Sequence, residues 1–112
     1  MLNTSDILRV FTDSIILAQL NISDSYGYAI NKVISEQSDS FFELKEATLY
    51  TSFRRLEDSQ YITSYWGDEN SGARRRYYSI TENGKKYLEK TMDDWQKIKS
   101  LLEKVLTTNI NQ

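Results

Sequence analysis

Cysteine, histidine and proline are all absent from this chain of 112 residues. Without cysteine there is no disulfide, no thiolate nucleophile and no cysteine-ligated metal. Without histidine, the commonest general base near neutral pH and the commonest metal ligand are gone too. Catalysis would have to rest on lysine or carboxylates. The carboxylate pair Asp93 and Asp94 cannot be told from a solvated helix face. No enzyme, metal or cofactor is therefore expected. Long apolar runs are also missing: Ile15-Ile16-Leu17-Ala18 is short and follows Asp13, so neither a signal peptide nor a membrane span is indicated. The expected setting is cytoplasmic. With no proline, segment boundaries rest on Gly, Ser, Asn and Asp.

What is present fits one small soluble domain, 39% hydrophobic and 27% charged, with eight Tyr, four Phe and two Trp. The formal net charge of −2 hides a partition. Residues 1–40, 41–80 and 81–112 carry −3, 0 and +1, and every cation of the last segment is lysine. Arginine concentrates in two places, Arg54-Arg55 and Arg74-Arg75-Arg76. Local placement rather than net charge decides whether a surface attracts phosphates.

Periodicity divides the chain into helix, helix, short strand, helix, strand, strand and long helix. Residues 5–20 form the first helix, with Ser5 as N-cap. Its apolar residues run round more than one side, which suggests burial against a partner chain. A second helix over about 26–37 is capped by Asp24 or Ser25 and buries Tyr26, Ala29, Ile30, Val33 and Ile34. A short extended run, Phe41 to Leu44, precedes a third helix over about 46–58. There Leu49, Phe53 and Leu56, at i, i+4 and i+7, face the core. Strands over about 61–66 and 74–80 flank the loop "GDENSGA". Thr81 then caps a final helix through about 107. The expected fold class is mainly α with a small β-hairpin: a winged helix-turn-helix over residues 1–81, a C-terminal dimerisation helix over 82–107 packed with helix one, and a tail over 108–112.

In that layout the third helix enters a major groove and the hairpin is the wing. The outer side of the helix carries Thr48, Thr51, Arg54 and Arg55, with Tyr50 at its margin. Hydroxyls can bond phosphates or base edges, and guanidinium groups pair phosphates. By itself this is as well read as an ordinary solvated face. In the wing strand, period-two alternation sets Arg74, Arg76, Tyr78 and Ile80 on one face and Arg75, Tyr77 and Ser79 on the other. The three arginines would meet DNA phosphates; the competing reading is cross-strand pairing with Asp68 and Glu69. Exposed ion pairs stabilise by only about 0.2–1 kcal/mol, so fold stability gives little reason for three arginines. In the last helix Leu88, Trp95 and Leu102 recur every seven residues, beside Ile98 and Val105, with Met92 and Leu106 alongside. That stripe fits a second copy of the chain. Trp95 would make a flat wall for an aromatic ligand, although core filler is the commoner fate of such a residue.

The stretch "ATLYTSFRRLEDSQYITSYWGDENSGARRRYYSITENG", together with "YGYAI" at 26–30, resembles the PadR family of bacterial transcriptional regulators. The family pattern is a "TLY" helix running into "RLE", then a hairpin ending in a basic "R-YY-(L/I)T--G". The likeness covers about residues 5–107, and within the family it is nearest the small subgroup with one C-terminal helix. It implies a homodimeric repressor that binds a pseudo-palindromic operator in double-stranded DNA, with helices one and four at the dimer interface. Multidrug-sensing members stack flat aromatic effectors between paired tryptophans. Carried over, that makes Trp95 the stacking residue, with Met92, Ile7, Val10, Ser14, Ala18 and Lys99 as neighbours. Three departures from the pattern stand out. Lys45 occupies the N-cap of the third helix, Ser59-Gln60 replaces a glycine-containing turn, and Lys99 stands for an acid. A cation at 99 would favour neutral or anionic aromatics over cationic drugs. A winged-helix dimer that binds protein and not DNA is the other reading the residues allow.

Overall fold

The i, i+4, i+7 row of the third helix does turn inward, and the other elements assemble on it. The computed structural model describes residues 4–40, 43–67 and 74–110, with backbone alone for 4–10 and 108–110. The elements are α1 (Thr4–Ile22), β1 (Ser25–Tyr26), α2 (Gly27–Gln37), α3 (Glu46–Asp58), β2 (Ile62–Trp66), β3 (Arg76–Ile80) and α4 (Glu82–Ile110). The strands make an antiparallel sheet in the order β1-β3-β2. Ile62 pairs with Ile80, Ser64 and Ser25 with Tyr78, and Tyr65 and Tyr26 with Tyr77. The fold is thus mainly helical with a small sheet, a winged helix.

Alternation along these strands gives the sheet two unlike faces. Ile62 and Tyr78 point into the core, where they join Ile16, Leu17 and Leu20 of α1, Ile30 and Ile34 of α2, and Leu49, Phe53 and Leu56 of α3. Tyr26, Tyr65 and Tyr77 form a row on the opposite face, in edge and stacked contacts at 5.3 and 5.8 Å. The turn between α2 and α3 is held by one side chain. Asn31 Nδ2 donates to the Leu44 carbonyl at 2.7 Å, and the Leu44 N–H donates to Asn31 Oδ1 at 3.0 Å.

Several boundaries differ from the sequence reading. α1 begins at Thr4, so Ser5 lies inside the first turn and not at the N-cap. Asp24 and Ser25 do not cap α2: its N-cap is Tyr26, without a side-chain bond, because Ser25 and Tyr26 are drawn into the sheet by β3. The first strand among the described residues is Ser25–Tyr26. Residues 41 and 42 lie outside the described residues, and Glu43 and Leu44 belong to no strand. Regular pairing of β3 starts at Arg76, two residues later than expected, and α4 continues to Ile110. The wing loop, with Asp68 and Glu69, falls outside the described residues.

Thr81 caps α4 as expected, accepting from the Gly84 N–H at 3.0 Å and donating to the Gln60 carbonyl at 2.7 Å. Gly84 lets this first turn lie on the β2 entry: a Cβ there would collide with the Tyr61 carbonyl oxygen. Stacking of Tyr61 on Tyr87, with ring centroids 4.5 Å apart, secures the same junction. Leu88 is 5% exposed within this core.

The turn after α3 shows how the chain manages without glycine. The Tyr61 N–H donates to the Leu56 carbonyl and the Gln60 N–H to the Glu57 carbonyl, both at 2.9 Å, a Schellman closure. Its left-handed position is Gln60, at φ 64°. A side chain there costs about 1–2 kcal/mol relative to glycine, offset partly by glycine's larger loss of chain entropy. Gln60→Gly should therefore stabilise the fold by about 1 kcal/mol. Urea unfolding would show this as a higher midpoint at unchanged slope, whereas a lower midpoint would count against the strain.

Candidate nucleic-acid interface

α3 enters from Lys45, an extended N-cap that makes no side-chain bond, with Glu46 in its first turn. No side chain of the N-cap thus bonds the first N–H groups, and a helix N-terminus attracts anions. Tyr50, Thr51 and Arg54 are exposed along the outer side, and Thr48 is half-buried. The Thr51 hydroxyl donates back to the Ala47 carbonyl at 2.8 Å, so toward DNA it would serve as an acceptor. Tyr50 leans edge-on against Phe53, ring centroids 5.7 Å apart, and its hydroxyl lies over Gly27.

Arg55 lies elsewhere. Its Nε and Nη2 bond the two carboxylate oxygens of Asp13 on α1 at 2.9 and 2.5 Å, and Nη2 also donates to Ser52 Oγ at 3.2 Å. That hydrogen bond to Asp13 is the main reason its pKa is raised further.

The wing arginines divide by face. Arg75 lies over the Tyr26 ring at 4.9 Å, on the outer side of the sheet. Arg74 lies over Trp66 at 5.0 Å. Arg76 also borders Trp66 and reaches toward α3. Its Nη2 donates to Ser64 Oγ at 2.8 Å and approaches Glu57 Oε1 at 3.5 Å, while the Ser64 hydroxyl donates to Glu57 Oε2 at 3.0 Å. Tyr50, Arg54, Glu57, Arg76 and Tyr78 line a shallow cleft of about 280 Å³ between helix and wing. The sequence brought the cations to notice but not their partners Asp13, Glu57 and Ser64. Period-two alternation could have put Ser64 near Arg76 only with the hairpin register known.

Of the stripe on α4, Leu88 departs from expectation: it is buried in the chain's own core and is not presented to a partner. Met92, Trp95, Ile98, Leu101, Leu102, Val105 and Leu106 are 40–59% exposed. Trp95 meets Phe11 of α1 edge-on, with ring centroids 5.5 Å apart. Ser14 is half-buried, Ala18 packs against the core, and Lys99 is exposed. The Ile7 and Val10 side chains lie outside the described residues.

Comparison with known proteins bears on this geometry. The family model described as "Transcriptional regulator PadR-like family" matches residues 16–90. The chain belongs to the PadR-like family. A solved transcriptional regulator from Clostridium thermocellum is 43% identical, with 92% of this chain and 97% of that one covered and a TM-score of 0.83. A PadR family transcription regulator from Clostridium difficile is 38% identical, covering 86% and 98%, at a TM-score of 0.76. An uncharacterized Lysinibacillus sphaericus protein is 43% identical over 99 residues, 88% of this chain and 91% of that one. As a PadR-family member the chain is a DNA-binding transcriptional regulator and not an enzyme. None of its described helices is long and apolar enough to cross a membrane.

Two tyrosines of the wing have raised pKa values. Burial is the chief cause at Tyr78, and the hydrogen bond to Asp24 at Tyr65. A folded-state pKa above the unfolded value near 10 means stability is intact below that pH and is lost as pH rises through the folded pKa. Above about pH 10 the unfolding free energy should fall with pH. Tyr78→Phe and Tyr65→Phe should each make that fall shallower, by up to one proton. Urea titrations between neutral pH and pH 11 would measure it, and unchanged slopes would contradict the assignment.

Proposed function

We propose that this PadR-family regulator works as a homodimeric repressor of a pseudo-palindromic operator, released by a flat aromatic effector bound between its subunits. The carrying observation is the row of seven apolar side chains on α4 from Met92 to Leu106, all at least 40% exposed. A soluble chain seldom leaves so long an apolar face to water, and such faces mark partner surfaces. Its spacing suits helix packing, with Ile98, Leu102, Val105 and Leu106 as contacts to a second copy.

In a two-fold dimer each α3 would lie in a major groove, its partner about 34 Å away along the duplex, one DNA turn. Thr48, Tyr50, Thr51 and Arg54 would meet the groove and its edges, and the wings the flanking phosphates. Trp95, at the domain end of the α4 stripe with Phe11 against its edge, would supply the stacking wall. Met92, Ser14 and Lys99 lie on the same two helices, α1 and α4. Lys99 favours neutral or anionic aromatics. An effector that separates the subunits slightly changes the half-site spacing and so biases the dimer away from operator. Such a regulator acts where the chromosome is, in the cytoplasm.

Sedimentation and operator binding test the reading together. Leu102→Glu places two carboxylates in the apolar contact and should yield a folded monomer with operator affinity lowered at least about 100-fold, the loss of bivalent attachment. Trp95→Ala should remove both the quenching by aromatic ligands and their effect on operator affinity. A Leu102→Glu protein that stays dimeric, or a Trp95→Ala protein that still responds to ligand, refutes the corresponding half.

A further inference from the structure

We infer that Asp13 is a positioning residue through which α1 carries the state of the Trp95 site to α3. The inference deepens the effector reading above and rests on it, since it names the contacts that would join the ligand end of the molecule to the DNA end.

α1 packs against both α3 and α4. Along its middle, Thr12, Ile16 and Leu20 stand at i, i+4 and i+8, and each is at most 2% exposed. Such a row is the buried edge of a helix. At about 100° per residue, Phe11 and Asp13 flank that row on its two sides. Each side meets a different helix. Phe11 touches Trp95 of α4 edge-on, with ring centroids 5.5 Å apart. Asp13 receives Arg55 of α3 in two bonds, Nε at 2.9 Å and Nη2 at 2.5 Å, one to each carboxylate oxygen.

The two contacts differ in kind, and the difference suits transmission. An edge-on pair depends on the tilt of both rings, so a planar ligand on Trp95 turns the indole or displaces the Phe11 edge. A close-packed helix does not absorb such a push by local compression; it rocks as a unit about its buried row. On the other flank the movement meets a guanidinium–carboxylate pair, whose planar fork fixes angle as well as distance. Arg55 must then follow Asp13, and α3 with it, or the fork must open. Tyr87 of α4 also acts on the Arg55 charge. Its ring is stacked on Tyr61, about two helical turns before Trp95, so it belongs to the core end of α4 and not to the Trp95 site.

Coupling of this kind is reciprocal: what Trp95 does to α3, α3 does to Trp95. The chain has two tryptophans, so Trp66→Phe leaves Trp95 as the sole reporter. In that background, fluorine NMR of 5-fluorotryptophan reads the Trp95 environment. Arg55→Gln should move the Trp95 resonance although residue 55 lies on another helix, and Asp13→Asn should move it likewise. The double variant should move it no further than the larger single change. Tyr87→Phe, which keeps the ring stack, should leave it in place. Anthracene-2-carboxylate, flat and anionic, serves as the ligand probe. The factor by which it weakens operator binding should shrink by up to about fivefold in Arg55→Gln and Asp13→Asn, the scale of one exposed ion pair. Asp13→Glu, which keeps the carboxylate, should retain part of that factor.

A Trp95 resonance unmoved by Arg55→Gln overturns the proposal. So do additive shifts in the double variant, an equal shift in Tyr87→Phe, or a probe effect that survives Arg55→Gln in full. Failure of the effector reading looks different: the probe then does not bind, or it leaves operator affinity untouched. The ligand-free resonances still decide in that case whether Asp13 joins the two helices.

Discussion

The Phe53 ring lies flat on Tyr78, centroids 3.9 Å apart, and this contact joins α3 to the wing. Both side chains are buried, with Leu49, Leu56, Ile62 and Ile30 in the same cluster. Truncating an aromatic residue of this kind typically costs about 3–5 kcal/mol, against a total stability of about 5–15 kcal/mol for a small domain. The stack is therefore a major share of what holds α3 at a fixed distance from β3. Surface pairs such as Arg55 with Asp13 cannot supply that much; what they can add is direction. Burial sets the separation of helix and wing, and the polar bridges lie at their margins.

The placement of carboxylates bears on how an acidic chain holds its clustered arginines. Its carboxylates are not spread evenly over the arginine clusters. Asp13 and Glu57 engage one arginine each, from α1 and from the end of α3. The net charge of −2 then describes the body of the molecule and not the edge formed by α3 and the wing.

Much of this was legible in the sequence. The row Leu49, Phe53 and Leu56 has the helical period, "RRRYYSI" alternates as a strand, and Thr81 is a good cap followed by a long apolar stripe. Where the reading failed, the cause was tertiary. Ser25 and Tyr26 look like a helix entry, but a free edge of β3 takes them as a strand. Leu88 fits the heptad of the exposed stripe, yet the first turns of α4 are pulled onto Tyr61 and the core. The partners of Arg55 and Arg76 stand 42 and 19 residues away, separations that no local pattern reports. Gln60 in a left-handed conformation is a further case, since the turn demands that geometry whichever residue the sequence supplies.

Hydrogen exchange with and without operator DNA addresses the central claim, that α3 and the wing together form one rigid DNA-facing edge. The account predicts slowed exchange on DNA binding in residues 46–58 and in the β2–β3 hairpin, with α4 beyond Trp95 unchanged. Protection confined to α4, or protection of α3 without the hairpin, would contradict it.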